Sequence, residues 1–283
     1  MAGRVPFSTA ASGGNRHSGE DTFMASPTLA RAVSAVPEFH ALTHNKALTP
    51  YGLPVADHCV GSVLREHSCT ALSERTLDTL ERISHTTAYP EGSLIFVEGQ
   101  TPRGVFILVQ GRVKLMSTNR DGKTFIMKIA QPGEILGLQA IVTGSAHELT
   151  VETLQPSQFA FISRADFLLF LKQHADACLH MAQQLSNDCQ SAYEVIRSIG
   201  LSQSVTEKLA RLLLQWSVEG RLSEGAIRLK LALTHEEIGQ LIGTSRETVT
   251  RILGDLKKRC VLEVKGATLV IRNKAALERL VQA

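Results

Sequence analysis

The sequence predicts an α+β chain in which a β-rich half is followed by a helical half, and three observations predict it. Between Ala88 and Ile162, short β-like segments alternate with Gly, Asp-Gly and Pro-Gly turns. Beyond them, apolar and small residues recur at alternating spacings of four and three. Near the C-terminus a capped apolar helix runs through a glycine into a second helix whose outer face is charged.

At 283 residues the chain has room for about two domains. Residues 1–55 are rich in Ala, Ser, Gly, Thr and Pro and show no sustained period. They are expected to form a largely disordered extension, with Met24 an alternative start. Ser73 then caps a short helix over 74–83, apolar at Leu77 and Leu80. The β-like segments are 94–97, 105–110, 113–117, 124–129 and 158–162, and Asp121-Gly122 marks the clearest hairpin. Strands this short, with turns this frequent, predict a sandwich or barrel, so residues 56–163 are assigned to a first domain.

The next stretch, 164–200, is assigned to dimerisation. Cys178, Ala182, Leu185, Cys189, Ala192, Ile196 and Ile199 make an a/d seam that Gly200 ends. A helix over 176–199 is therefore predicted to pair with a second copy in parallel, with Cys189 facing its counterpart. The competing explanation, packing on the chain's own β domain, accounts for its N-terminal end.

Residues 201–283 are assigned to the last domain. A helix over 205–218 turns Leu209, Leu212, Leu213 and Trp216 inward, 229–233 reads as a strand, and 261–265 and 268–272 flank Gly266-Ala267 as a hairpin wing. Between them, Thr234 with Glu237 forms a capping box for a helix buried through Ile238, Leu241 and Ile242, which Gly243 ends. Ser245 caps a second helix. Its apolar stripe is Val249, Ile252, Leu253 and Leu256, leaving Arg246, Glu247, Thr250 and Arg251 on the other side. In a helix-turn-helix that side enters the major groove of DNA, where arginine donates to guanine and a carboxylate accepts from cytosine. A solvated face with a Glu247 to Arg251 pair is the bland explanation; the capped partner helix and the Gly joint favour DNA. Charge agrees. From Ser204 onward there are 14 Lys and Arg against 9 Asp and Glu, although the whole chain carries only +3.

The run from Ile238 to Leu253 resembles the recognition segment of the Crp/Fnr family of bacterial regulators. That resemblance implies that Arg246, Glu247 and Arg251 read bases, while Thr234, Ser245 and Thr248 hold phosphates; Thr250 and, with no specific signal of its own, Lys257 are added as backbone-contact candidates. Lys258, Arg259 and Lys265 are further, individually unspecific, candidates near the wing. The segment from Val105 to Lys114 is similar to the family's cyclic-nucleotide-binding-like jelly roll, a double-stranded β-helix. The fold implied is that domain, a long dimerisation helix and a C-terminal winged helix-turn-helix. The implied partners are a homodimer's second copy, a double-stranded palindromic operator and, for an activator, RNA polymerase, contacted through the hairpin at 119–123.

Gly133 to Leu138 is similar to the start of the family's phosphate-binding cassette, but Leu138 stands where cyclic-nucleotide binders place a ribose-binding glutamate. Glu148-Leu149 replaces their phosphate-binding Arg-Ser or Arg-Thr, so cyclic AMP is disfavoured as effector. Gly137 to Ile141 is closer to the family's oxygen-sensing branch, which holds an iron–sulfur cluster on four cysteines. Only Cys59 and Cys69 lie in the N-terminal stretch, and Ala160 occupies the fourth ligand's place, so that cluster is disfavoured too. His58, Cys59, His67 and Cys69 remain candidates for a mixed metal, haem or redox site, weighed against loop residues with no ligand role.

Five cysteines, an odd number without scaffold spacing, point to a reducing compartment and hence the cytoplasm. No apolar run is long enough to span a bilayer. No nucleophile-base constellation or phosphate-binding Gly-Lys-Ser/Thr loop argues for an enzyme. The remaining rival is a cyclic-nucleotide-binding module acting on a protein partner, which a gel shift on palindromic DNA at two salt concentrations separates.

Overall fold

The computed structural model describes residues 48–54, 59–67, 72–202, 204–218, 221–223, 226–230, 233–266 and 268–282. Within the expected extension, residues 48–54 form a tight turn, with Leu48 bridged to Pro54 and the Thr49 carbonyl accepting from Gly52 N at 3.0 Å. The rest of 1–55 lies outside the described residues.

Two short helices, α1 (Cys59–His67) and α2 (Glu74–Ile83), precede the β domain. Ser73 caps α2 as expected, its hydroxyl accepting from Thr76 N. The strands β1 (His85–Tyr89), β2 (Leu94–Phe96), β3 (Gly104–Gln110), β4 (Val113–Thr118), β5 (Thr124–Ala130), β6 (Ile135–Leu136), β7 (Thr150–Thr153) and β8 (Ser157–Ser163) form two antiparallel sheets, ordered β1-β8-β3-β6 and β2-β7-β4-β5. This is the cyclic-nucleotide-binding-like jelly roll. The five expected strands are present, joined by three the sequence did not announce. Of these, β1 and β7 are threonine-rich and β6 has only two residues, so none carries an apolar alternation.

Strand β3 is covered on both faces, hence its nearly continuous apolar run. Val105, Ile107 and Val109 join the cluster packed by α1 and α2, while Leu108 joins Phe96, Val113, Ala130, Val151 and Phe159 between the sheets. A short helix α3 (Leu138–Thr143) follows β6.

The helix expected over 176–199 is present, as the second of two helices in the stretch 164–200. The chain forms α4 (Arg164–Gln173) and then α5 (Ala175–Leu201), with His174 extended between them at φ −129° and ψ 95°. The break follows from packing: Phe167 and Phe170 on α4 enter the core of the β domain beside Ala177 and Met181 of α5, and the Phe170 ring stacks on His174 at 4.7 Å. Asp176, at the start of α5, accepts from Ser73 N at 2.9 Å and from the Thr76 hydroxyl at 2.7 Å. Burial opposes its ionisation, but these bonds hold its carboxyl well below the usual range.

The C-terminal part consists of α6 (Val205–Ser217), β9 (Arg221–Ser223), β10 (Ala226–Lys230), α7 (His235–Ile242), α8 (Arg246–Lys258), β11 (Leu262–Lys265), β12 (Thr268–Ile271) and α9 (Lys274–Gln282). Its sheet runs β11-β12-β10-β9. The strand expected at 229–233 lies earlier, at β10, because Leu233 instead enters the core just before the α7 cap. The apolar stripe of α6 is buried as expected: Leu209 and Leu213 at 0 % exposure, Trp216 at 1 %.

Candidate nucleic-acid interface and sensor cavity

Thr234 and Glu237 complete a reciprocal capping box at the start of α7, the Glu237 carboxylate accepting from Thr234 N at 2.8 Å. Gly243 closes the helix at φ +72°, a left-handed conformation that favours glycine. Gly239 is needed for a different reason. A Cβ there would lie 2.8 Å from the Thr244 carbonyl oxygen, so the turn passes over α7 only because that side chain is missing.

Ser245 caps α8, its hydroxyl accepting from Thr248 N at 3.3 Å. Val249, Ile252, Leu253 and Leu256 are all buried, and Arg246, Glu247, Thr250, Arg251 and Lys257 are exposed. The Glu247 carboxyl is held below its ordinary range by the hydrogen bond from its own backbone N–H and by Ser245, so it is an ionised acceptor at neutral pH. Thr250, expected at phosphate, is engaged within the protein. Its hydroxyl donates to the Arg246 carbonyl at 2.9 Å and lies 2.8 Å from His235 Nδ1, tying α8 to α7. Lys265 on the wing lies 3.4 Å from Glu263, which also pairs with Arg272.

Sequence reading missed the contact between this unit and the jelly roll. Ile126 and Ile129 of β5 enter the same core as Leu209 and Trp216. Lys114 of β4 pairs with Glu152 at 2.9 Å and reaches Glu237 at 3.8 Å. The hairpin at 119–123 consequently approaches the start of α8, where Gly122 and Lys123 face Ser245, Arg246 and Glu247 across a cleft.

The seam residues of α5 behave differently from the stripe facing the roll. Ala177, Met181, Ser191 and Val195 are buried, whereas Cys178, Ala182, Cys189, Ile196 and Ile199 are exposed and Leu185 and Ala192 half-buried. Ile196 is 62 % and Ile199 47 % exposed. Leu185, Cys189 and Ala192 also line a cavity of about 420 Å³ between α5 and the roll. A buried cluster crosses one side of it: Lys128 on β5 pairs with Glu134 and, at 2.6 Å, with Asp188 of α5. Burial works against the Lys128 charge, but the two carboxylates outweigh it and raise its pKa. Burial also raises the pKa of Glu134, against the pull of Lys128.

Two family models match the chain: that of the cyclic nucleotide-binding domain over residues 86–174 and that of the Crp-like helix-turn-helix domain over residues 207–280. The cAMP-activated global transcriptional regulator CRP of Pasteurella multocida is 25 % identical over 197 residues, covering 69 % of this chain and 94 % of that protein. The global nitrogen regulator of Synechocystis is 25 % identical over 193 residues, covering 68 % and 86 %. In fold, the chain is similar to FixK2 of Bradyrhizobium japonicum, with a TM-score of 0.62 and 22 % identity over 71 % of this chain and 98 % of that one. It is likewise similar to a CooA mutant from Carboxydothermus hydrogenoformans, with a TM-score of 0.63 and 21 % identity over 75 % and 98 %.

The chain belongs to the Crp/Fnr family. It is a transcription regulator with a helix-turn-helix DNA-binding domain, and its relatives include a global transcriptional regulator. As a Crp/Fnr protein it departs from the cyclic-nucleotide pattern in the pocket itself. Leu138 is buried, Glu148 accepts from Gln139 Nε2 at 2.8 Å, and the lysine on the wall is engaged by two carboxylates. A cyclic phosphate finds no available cation among these groups, so the residues do not fit a cyclic nucleotide. Of the metal candidates, His58 and Cys69 lie outside the described residues. Cys59 opens α1, and His67 closes it against Gly133. No group of three or more potential metal ligands occurs among the described residues, and none of their helices is long and apolar enough to cross a membrane.

Proposed function

We propose that the protein acts as a homodimer on a palindromic operator, with Arg246, Glu247 and Arg251 of each copy reading the bases of one half-site. The observation that carries this reading is the two-sidedness of α8. Its apolar residues are at most 4 % exposed, and all three polar candidates project from the other side. Thr234, Ser245, Thr248 and Lys257 are assigned to phosphates, while Thr250 positions α8 through His235. The uncovered stripe of α5, from Cys178 to Ile199, supports pairing of two copies, because isolated apolar side chains at heptad spacing gain by burial against each other. Such a dimer sets its recognition helices roughly 34 to 36 Å apart, one turn of DNA.

In this reading residues 56–163 sense, 164–200 couple and pair, 201–283 bind DNA, and residues 1–55 are an extension. Cyclic AMP does not serve as effector. An effector in the cavity would press on Leu185, Cys189 and Ala192, which belong at once to its wall and to the seam. The hairpin at 119–123 meets RNA polymerase if the regulator activates. The protein works in the cytoplasm, where such a partner and the operator are found.

The test is a competition assay with Arg251→Ala. Specific binding should fall by about 1 to 3 kcal/mol and preference at one base pair of each half-site should flatten. Full retention of sequence preference would show that α8 does not dock in this way.

A further inference from the structure

The cavity between the jelly roll and α5 has a chemical character that defines what it takes. At about 420 Å³ it falls within the range of about 300 to 1,000 Å³ usual for small-molecule sites. Its apolar wall includes Phe96, Leu115, Leu136, Leu138, Leu149 and Leu185. Nearly every polar group on that wall is already committed. Lys128 is held by Glu134 and Asp188, Gln184 exchanges hydrogen bonds with the Ile135 backbone at 3.0 and 2.7 Å, and Gln139 donates to Glu148. Ser191 donates to the Asn187 carbonyl at 2.9 Å.

His147 is the exception: among the described residues its ring makes no hydrogen bond, although its backbone is tied to Gly99 and Gln100. It is 5 % exposed, and its ring stacks on Phe96 at 3.9 Å with an interplanar angle of 13°. Burial lowers its pKa, so the imidazole is neutral at pH 7, with one N–H to give and one nitrogen to accept.

The charges on the lining are one lysine, which is paired, against the carboxylates of Glu134, Asp188 and Glu148. An anion entering this space would shed its water and meet net negative charge without a free cation, a combination that a low-dielectric wall penalises heavily. An uncharged ring pays neither cost. It extends the Phe96–His147 stack and buries apolar surface, and one hydroxyl or carbonyl on it finds the imidazole.

We propose that this cavity is a binding site for an uncharged, largely apolar, ring-bearing small molecule held by the Phe96–His147 stack. The inference deepens the reading of the chain as a signal-dependent regulator and rests on it for biological meaning, but the binding itself is measured without DNA. A failed operator assay and a failed cavity assay are therefore separate results.

A matched pair of fluorescent probes tests it on the full chain. N-phenyl-1-naphthylamine is neutral, and 1-anilinonaphthalene-8-sulfonate is the same skeleton with a sulfonate. The neutral probe should bind at least tenfold more tightly. Filling the cavity with Leu149→Trp should weaken it at least tenfold. Glu148 is exposed, so Glu148→Arg should leave the fold intact while supplying a cation; it should raise sulfonate affinity about tenfold with little change for the neutral probe. Equal or tighter binding of the sulfonate to the unaltered chain overturns the proposal. So does neutral-probe binding that Leu149→Trp leaves unchanged, which would place the probe on the uncovered face of α5, and so does failure of the neutral probe to bind at all.

Discussion

The recognition helix and the sensor cavity are two surfaces with opposite logic. On α8 the side chains proposed to read bases project to solvent from one short stretch, over a buried stripe that packs the helix on its own domain. At the cavity, groups from β2, β5, the segment before β6, the segment before β7 and α5 converge from positions as far apart as Phe96 and Ala192. A surface built on one helix tolerates little change in the few residues that meet its partner. A surface assembled from several elements can keep its shape while its chemistry is rewritten, as Leu138 and Glu148 illustrate.

Breaking the ionic cluster on the cavity wall should have the largest effect. Lys128→Met leaves Glu134 and Asp188 together without their cation, and removal of one partner from a buried ionic cluster costs about 3 to 5 kcal/mol. Glu134 already has a raised pKa, and a group of that kind favours the folded state at low pH and loses that contribution as pH rises. The deficit of the variant, measured by urea unfolding, should therefore shrink as pH is lowered toward the ordinary carboxylate range. An equal deficit at all pH values would remove the cluster from the account.

Arg246→Ala should come next, costing about 1 to 3 kcal/mol of operator affinity with no change in melting temperature, because its side chain is exposed and lies outside the core. A drop in melting temperature in place of a loss of affinity would make the residue structural. Asp176→Asn should cost about 1 kcal/mol near neutral pH, the scale of a lost capping interaction. The folded-state pKa of Asp176 is depressed, so its contribution is present above the ordinary carboxylate value of 3.8 and disappears as pH falls through the folded value. Wild type and variant should accordingly converge in acid, as followed by circular dichroism. At the bottom of the scale, saturating cyclic AMP should leave operator affinity unchanged and give no heat in calorimetry. A micromolar dissociation constant, about −8 kcal/mol, would restore the nucleotide to the cavity.

Several features that depend on neighbours along the chain were legible in the amino-acid sequence, although the helices α1, α3, α4 and α9 were not read there. Ser73, Thr234 and Ser245 cap their helices, Gly243 ends α7, and the stripes of α6 and α8 are buried, because a cap or a helical face is settled within one or two turns. For the same reason the residues that project from α8 could be read in advance, although Thr250 proved to answer to His235 on the preceding helix. Packing between distant segments settled the rest. It broke the helical region at His174, where aromatic contacts with the sheet outweighed helix continuity. It joined Ile126 and Ile129 to the DNA-binding core, and it turned His147 onto Phe96. Threonine-rich β1 and β7 pair through backbone groups that every residue carries, which leaves no mark in side-chain pattern. The cluster of Lys128, Glu134 and Asp188 is equally silent in sequence: each is an ordinary charged residue there, and only burial in one place makes them depend on one another.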